Sequence, residues 1–130
     1  MQLHEPLLYA PAGDGDGAVL LAMRDPASGA LAFPRTAYGI GAAAVTEEVV
    51  LSGRGTVLVC ITVHQPLSPG MATPLLVARI QLEEGLVVDG ILQGTEEAAP
   101  GTRVRAVLAP EERNGATALA CRFRVAEGAP

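Results

Sequence analysis

Lysine and tryptophan are both absent from this chain of 130 residues, and aromatic residues make up only 3% of it. All nine basic residues are therefore arginine, and the formal net charge is −5, which disfavours non-specific attraction to phosphate backbones. Modules that bind single-stranded nucleic acid need basic grooves and stacking aromatic side chains. We expect no nucleic-acid partner, although a single-stranded nucleic-acid-binding module stays open as an alternative.

Long apolar runs are missing too. No segment approaches the length of a membrane span. The first residues also lack the basic and apolar regions of a secretory signal. The sequence therefore predicts a cytoplasmic protein that does not bind membranes.

Familiar catalytic motifs are absent as well: there is no P-loop, no Gly-x-Gly-x-x-Gly and no Cys-x-x-Cys. The two cysteines, Cys60 and Cys121, fall in predicted strands and are expected to be buried, reduced thiols. His4 is predicted to lie in a mobile arm and His64 at a strand end, with no Ser/Asp or Cys/Asp arrangement beside it in sequence. We predict that the chain is not itself an enzyme. The alternative is a small enzyme that uses His64 with a carboxylate such as Asp89.

Apolar residues, by contrast, are abundant, at 49% of the chain with a mean hydropathy of +0.33. At this length the chain forms one domain with a core of modest size. Because aromatic residues are so few, that core must be built from Val, Leu and Ala, or some apolar surface must be covered by another chain. We expect both.

Five short strands are predicted after residue 55. Residues 57–63 read Val-Leu-Val-Cys-Ile-Thr-Val, a β-branched run between turn formers that predicts a strand buried on both sides. The predicted strands are 56–64, 75–82, 86–92, 103–108 and 119–125. A longer connection separates the third from the fourth, which matches a five-stranded Greek-key barrel of the OB type. A five-stranded sandwich fragment is the competing fold.

Four arginines alternate on the last two predicted strands, at Arg103, Arg105, Arg122 and Arg124. These strands are neighbours in an OB barrel, so the four side chains are predicted to share one outer face. That face is either simply solvated or a patch that contacts anions or an acidic partner, since arginine forks suit phosphate and carboxylate.

The order of motifs resembles a family of acyl-CoA-associated proteins that join a zinc ribbon to a C-terminal OB-fold. The resemblance covers about residues 20–125 and is carried by five short motifs. These are Gly29-x-x-x-Phe33-Pro34-Arg35, Leu51-Ser-Gly-Arg-Gly-Thr-Val57, Thr62-Val-His64, Pro74-Leu-Leu-Val-Ala-Arg-Ile-Gln-Leu-Glu-Glu-Gly85 and Pro100-Gly-Thr-Arg-Val104.

One departure from the family pattern concerns zinc. The resemblance implies two Cys-x-x-Cys pairs, whose positions here hold Asp25, Ser28, Tyr38 and Gly41. These residues do not make a tetrahedral zinc site. We therefore predict no zinc, and a vestigial rubredoxin-like ribbon in which Phe33 and Tyr38 fill the space. The predicted organisation is an N-terminal arm at 1–17, a degenerate zinc-ribbon-like hairpin at 18–51 and an OB-fold at 52–127, with Gly53-Arg54-Gly55 as the joint.

The resemblance implies an accessory subunit beside a thiolase-like, or alternatively hydratase-like, protein in the metabolism of lipids or aromatic acids. Such a subunit would complete or shield the CoA and acyl channel, or stabilise its partner, and an acyl-CoA would lie at the shared interface. The candidate ligand or partner contacts are Phe33, Pro34, Arg35, Arg54, Thr62, His64, Arg103, Arg105, Arg122 and Arg124.

Overall fold

The computed structural model describes residues 2–34, 47–66, 73–94 and 97–126, and every regular element in these ranges is a strand. Nothing in them is a helix long and apolar enough to cross a membrane. The strands, in chain order, are β1 (Tyr9–Pro11), β2 (Ala18–Arg24), β3 (Leu31–Ala32), β4 (Glu47–Leu51), β5 (Arg54–Val63), β6 (Leu75–Leu82), β7 (Val87–Gln93), β8 (Arg103–Arg113) and β9 (Ala116–Val125).

The last five strands close into a barrel in the order β5-β6-β7-β9-β8. All neighbours are antiparallel except β7 and β9, which run parallel. This is the OB arrangement, and the predicted fold class is confirmed. The predicted second strand has the observed bounds of β6. The predicted fourth and fifth strands are too short, because β8 and β9 continue to a tight hairpin in which Asn114 and Gly115 both have positive φ, at 51° and 80°.

The prediction that β5 is buried on both sides is wrong. Val57 is 1% exposed, but a bulge follows it, and Leu58, Val59 and Ile61 are 41%, 48% and 55% exposed. An antiparallel barrel strand turns one face to the core and the other outward. A run of β-branched apolar residues does not distinguish a strand that is buried on both faces from one whose outer face is apolar but exposed.

A second, smaller sheet precedes the barrel and shares its core. β1 and β3 pair with one side of β2, while β4 pairs with the other. The inward residues Ala18, Leu20 and Ala22 are at most 2% exposed and belong to the same buried cluster as barrel residues such as Ile80 and Phe123. The small sheet is therefore held against the barrel by the packing of aliphatic side chains.

Gly53 forms the joint between the sheet and the barrel. Its φ is +77°, and a Cβ at this position would lie 2.5 Å from the carbonyl oxygen of Ala18 and 2.9 Å from the Cβ of Ala106. Its carbonyl oxygen accepts a hydrogen bond from the Ala106 N–H at 2.8 Å. Only glycine fits this close approach of two sheets without strain.

The N-terminal arm is anchored, so the expectation of a mobile His4 is wrong. The His4 N–H donates to the Leu119 carbonyl oxygen at 2.9 Å, and the Leu119 N–H donates to the Gln2 carbonyl oxygen at 2.8 Å. The His4 ring Nε2 lies 2.7 Å from the Glu111 carbonyl oxygen. These contacts lay the arm along β9, before β1 enters the small sheet.

The turn between β2 and β3 contains two of the four positions at which the resemblance implies zinc ligands. Asp25 Oδ1 accepts from the Ala27 N–H at 2.9 Å, and Asp25 Oδ2 accepts from the Ser28 hydroxyl at 3.1 Å. Hydrogen bonds thus close this turn. Tyr38 and Gly41, the other two positions, lie outside the described residues. No cluster of three or more His, Cys, Asp or Glu suited to a metal occurs within those residues, and the absence of zinc stays a prediction.

Candidate functional site

Three arginines lie side by side across β5, β8 and β9, and we call them the arginine row: Arg54, Arg105 and Arg124. Arg54 pairs with Arg105, and Arg105 pairs with Arg124 in the next ladder. Directly opposite residues of antiparallel strands point to the same face of the sheet. The row therefore turns three guanidinium groups to one outer face of the barrel. Arg103, also exposed, lies two residues before Arg105 on the same strand.

One carboxylate, that of Asp16, sits on the arginine row. Its Oδ1 lies 2.9 Å from Arg105 Nη1, and its Oδ2 lies 3.5 Å from Arg124 Nη1. The hydrogen bond from Arg105 lowers the pKa of Asp16 below its usual value. The sequence does not indicate this residue as a site component, because 89 positions separate it from Arg105 and its Asp-Gly-Asp-Gly context predicts only a turn.

Arg122 points to the same side of β9 as Arg124, but it is covered, so the prediction that it belongs to an exposed arginine face is wrong. It is 4% exposed, and its guanidinium binds the Glu111 carboxylate and the Cys121 carbonyl oxygen. Glu111 also accepts from Arg113 Nε at 2.7 Å, and Arg113 in turn pairs with Glu5 at 3.3 Å. Burial disfavours the ionised form of Glu111, but the hydrogen bonds from both arginines outweigh it and lower the pKa. The N-terminal arm covers this part of β9, which no local pattern indicates.

A pocket of about 250 Å³ opens where β7 and β9 separate. These strands pair only at Leu92–Phe123 and Gln93–Arg124. The pocket beyond that pairing is lined by Tyr9, Val77, Gly90, Ile91, Cys121 and Arg122, among others. Burial raises the pKa of the Cys121 thiol to about 12. A raised pKa keeps the thiol protonated at neutral pH and lowers its reactivity, because the thiolate is the reactive form.

The outer face of β5, β6 and β7 is apolar, and we call it the apolar face. Ile61 pairs with Val77, which pairs with Ile91, so the three side chains form one outward row. The adjacent row holds Val59, followed by Arg79 and Asp89 in an ion pair of 3.0 Å. The face therefore combines exposed β-branched side chains with a single, internally compensated pair of charges.

Thr62 and His64 lie at the end of β5, beside the apolar face. The Thr62 hydroxyl donates to Glu97 at 3.3 Å, and His64 is exposed. Asp89 lies in the same row as Val59, and Val59 is five residues before His64 on the chain. Five residues of strand span about 16 Å. With its carboxylate bound by Arg79, Asp89 is not brought to His64, and the alternative of a His64–Asp89 pair finds no geometric support.

The candidate contacts Phe33 and Pro34 follow β3 and belong neither to the arginine row nor to the end of β5. Phe33 is half-buried and its ring centroid lies 5.7 Å from that of Tyr9, while Pro34 is exposed. Arg35 lies outside the described residues. Apart from the buried Arg122, the predicted contacts that the structure describes fall into three groups, at the arginine row with Arg103, at the end of β5 and beside β3. Their roles stay predictions.

Comparisons with known proteins bear on this geometry. Residues 48–109 match the family model of the ChsH2 C-terminal OB-fold domain. The alpha subunit of 3-oxo-4,17-pregnadiene-20-carboxyl-CoA hydratase of Mycobacterium tuberculosis is 45% identical over 60 residues. Those residues are 45% of this chain but 19% of the hydratase subunit, so the chain spans about a fifth of that relative.

Among solved structures, one named Ltp2-ChsH2(DUF35) aldolase superposes with a TM-score of 0.59. The match covers 89% of this chain and 98% of that chain, at 23% sequence identity. It therefore shows a common fold. The resemblance to an acyl-CoA-associated OB-fold family is confirmed by the family model and the hydratase relative. The prediction that the chain is not an enzyme is wrong, because its relatives are named as a hydratase subunit and an aldolase.

Proposed function

We propose that this chain, whose residues 48–109 belong to the acyl-CoA-associated OB-fold family, is one subunit of an enzyme assembly that acts on acyl-CoA thioesters. Its partner would be a thiolase-like subunit, as the order of motifs implies. The names of the relatives support an assembly, since one is an alpha subunit and the other joins two protein names. In this role the barrel completes or shields the channel that holds the CoA thioester.

The observation that carries this proposal is the apolar face. Val59 and Ile61 are 48% and 55% exposed, and Ile61 continues in register into Val77 and Ile91. The small N-terminal sheet contacts the barrel at β8, through the bridge of Gly17 to Val107. Tyr9 of this sheet lines a pocket together with Val77 and Ile91, whereas Val59 and Ile61 of β5 stay exposed. A contiguous apolar patch of this kind is typical of a protein–protein contact.

The charges of the apolar face define the chemistry of the partner surface. Arg79 and Asp89 neutralise each other across neighbouring strands. A partner surface that was strongly charged would leave its own charges desolvated and unpaired. We therefore expect an apolar, uncharged partner surface in contact with Ile61, with polar groups near Thr62 and His64 at its rim.

A hydratase-like partner is the second candidate, and the relative from Mycobacterium tuberculosis favours it, because that relative is named as a hydratase subunit. The two candidates share the same OB-fold surface. They differ in the reaction of the assembly, which is the addition of water to an unsaturated acyl-CoA in the second case.

Co-purification tests the proposal. The chain is expressed with a thiolase-like subunit and, separately, with a hydratase-like subunit from the same genome, and complexes are scored by size-exclusion chromatography and acyl-CoA turnover. Ile61→Asp should weaken the complex by about tenfold or more, since it buries a charge at the contact. Val50→Asp is the matched control, because Val50 is 63% exposed on the outer side of the small sheet.

Two outcomes would contradict the proposal. One is a wild-type chain that never co-purifies with either subunit and never changes acyl-CoA turnover. The other is a complex that Ile61→Asp and Val50→Asp weaken equally, which would remove the apolar face from the contact.

A further inference from the structure

The geometry points to the arginine row as a binding site for phosphate groups, such as the diphosphate of CoA, that Asp16 occupies until the ligand displaces it. The identification of the ligand as CoA rests on the proposed function. The site itself rests on the positions of Arg54, Arg105 and Arg124.

The spacing of the arginine row suits a ligand with more than one phosphate. Opposite residues of antiparallel strands are about 4.5–5.5 Å apart at their Cα atoms. Three of them in register span about 10 Å from Arg54 to Arg124. Arginine forks bind phosphate oxygens in pairs, and neighbouring forks can hold neighbouring phosphates.

The charges around the arginine row are unbalanced. Arg54 and Arg103 form no ion pair with any residue of the described ranges, while Arg105 and Arg124 share the single carboxylate of Asp16. The Glu84 carboxylate accepts from the Ser52 N–H at 2.7 Å and forms no ion pair with Arg54. Two of the four guanidinium groups thus share one carboxylate and the other two have none among the described residues, on a chain whose net charge is −5.

Asp16 is placed on the arginine row by its own backbone. Its carbonyl oxygen accepts from the Leu108 N–H at 2.8 Å, and the next residue, Gly17, bridges to Val107. The turn is therefore anchored on β8, and the side chain reaches back to the two arginines. Each carboxylate oxygen contacts one guanidinium group, in the manner of two oxygens of a bound phosphate.

The Asp16 contacts are replaceable. The side chains of Asp16, Arg105 and Arg124 are 44%, 41% and 44% exposed. Solvent-exposed ion pairs contribute little free energy. A phosphate group carries more charge and more acceptor oxygens than a carboxylate, and it can also use Arg54. A phosphate ligand therefore displaces the Asp16 side chain without disturbing the turn.

Pyrophosphate binding by the full chain, measured by calorimetry at low ionic strength, tests the role of Asp16. Asp16→Asn should bind pyrophosphate about three- to fivefold tighter than wild type, because it removes the competing carboxylate. Asp14→Asn is the matched control: it makes the same change in net charge two residues away, and Asp14 forms no ion pair with another described residue. Equal gains in both variants, or no gain in either, would overturn the competition by Asp16.

The ligand class is tested with CoA and with pantetheine, which lacks the phosphates. We expect CoA to bind and pantetheine not to compete with it. Arg105→Gln should weaken CoA binding about tenfold, whereas Arg24→Gln, which makes the same charge change on the small sheet, should leave it unchanged. Binding that ignores Arg105, or no binding of either CoA or pyrophosphate, would refute the site. If the chain still co-purified with its partner in that case, the proposed function would stand without it.

Discussion

Glu111 binds two arginines at once, and one of them, Arg122, is 4% exposed. Removing a carboxylate leaves a buried guanidinium without its counter-charge, which is costly in a low-dielectric environment. The Glu111 side chain is only 23% exposed, so solvent can replace it only in part. This carboxylate therefore matters more to the stability of the barrel than the fully exposed acidic residues.

The free energy of unfolding should depend on pH through Glu111. Because the folded-state pKa of Glu111 lies below its unfolded value of about 4.5, its stabilising effect is present above that value and is lost as pH falls through the folded pKa. Glu111→Gln should lower the free energy of unfolding at pH 7 by about 2 kcal/mol. The difference from wild type should shrink as the pH falls below about 4.5. Urea unfolding at several pH values measures it.

Glu112→Gln is the control for that measurement, because Glu112 is exposed next to Glu111 and forms no ion pair with another described residue. We expect it to change stability little at any pH. A Glu111→Gln effect that stays constant from pH 7 to pH 3 would show that the pairing with Arg122 and Arg113 does not set the pKa.

Among the single elements, the turn of residues 25–29 is closed by hydrogen bonds of the Asp25 carboxylate. Asp25→Ala removes the acceptors for Ala27 N–H and for the Ser28 hydroxyl, and should lower stability by about 1 kcal/mol. A chelator such as EDTA should leave the melting temperature of the wild-type chain unchanged. A fall in melting temperature with chelator, restored by zinc, would contradict the prediction of a metal-free ribbon.

The strands also show how much the sequence can predict. The bounds of β6 follow from alternation and turn formers, which are local signals. The extension of β8 through Pro110, Glu111 and Glu112 does not, because proline and acidic residues are poor strand formers, and pairing with β9 overrides that preference.

The candidate site divides in the same way. The outward direction of Arg103, Arg105 and Arg124 follows from alternation along a strand. The burial of Arg122 and the position of Asp16 depend on the N-terminal segment packing against β8 and β9, about 90 residues away in the chain. No local pattern carries such a contact, and one sequence alone does not show which distant segment covers a given strand.

For the whole molecule, the small sheet and the barrel form a single core that meets at Gly53. We predict that Gly53→Ala lowers the free energy of unfolding by about 2–4 kcal/mol, since it adds left-handed strain to a clash with Ala18 and Ala106. The residues on both sides of the joint should lose hydrogen-exchange protection together.

Gly94→Ala is the matched control for Gly53→Ala. Its φ of +75° is nearly the same, but a Cβ there would meet nothing within 4 Å. It should therefore cost only the conformational strain, about 1–2 kcal/mol. Equal losses in the two variants would show that the close approach of the sheet to the barrel does not add to the cost.

The arginine row also lies where the barrel is closed by pairing between strands that are far apart in the chain. Most barrel ladders join strands that follow one another in sequence, but β5–β8 and β7–β9 join distant ones, with three and two residue pairs. The loop-closure entropy cost of the barrel is largest at these two ladders, because they join strands that are far apart in the chain. Arg54 and Arg105 pair within the first, and Arg124 pairs with Gln93 in the second. An anion held by all three arginines would thus be a non-covalent cross-link across the β5–β8 closure, and its binding energy would add to the stability of the closed barrel.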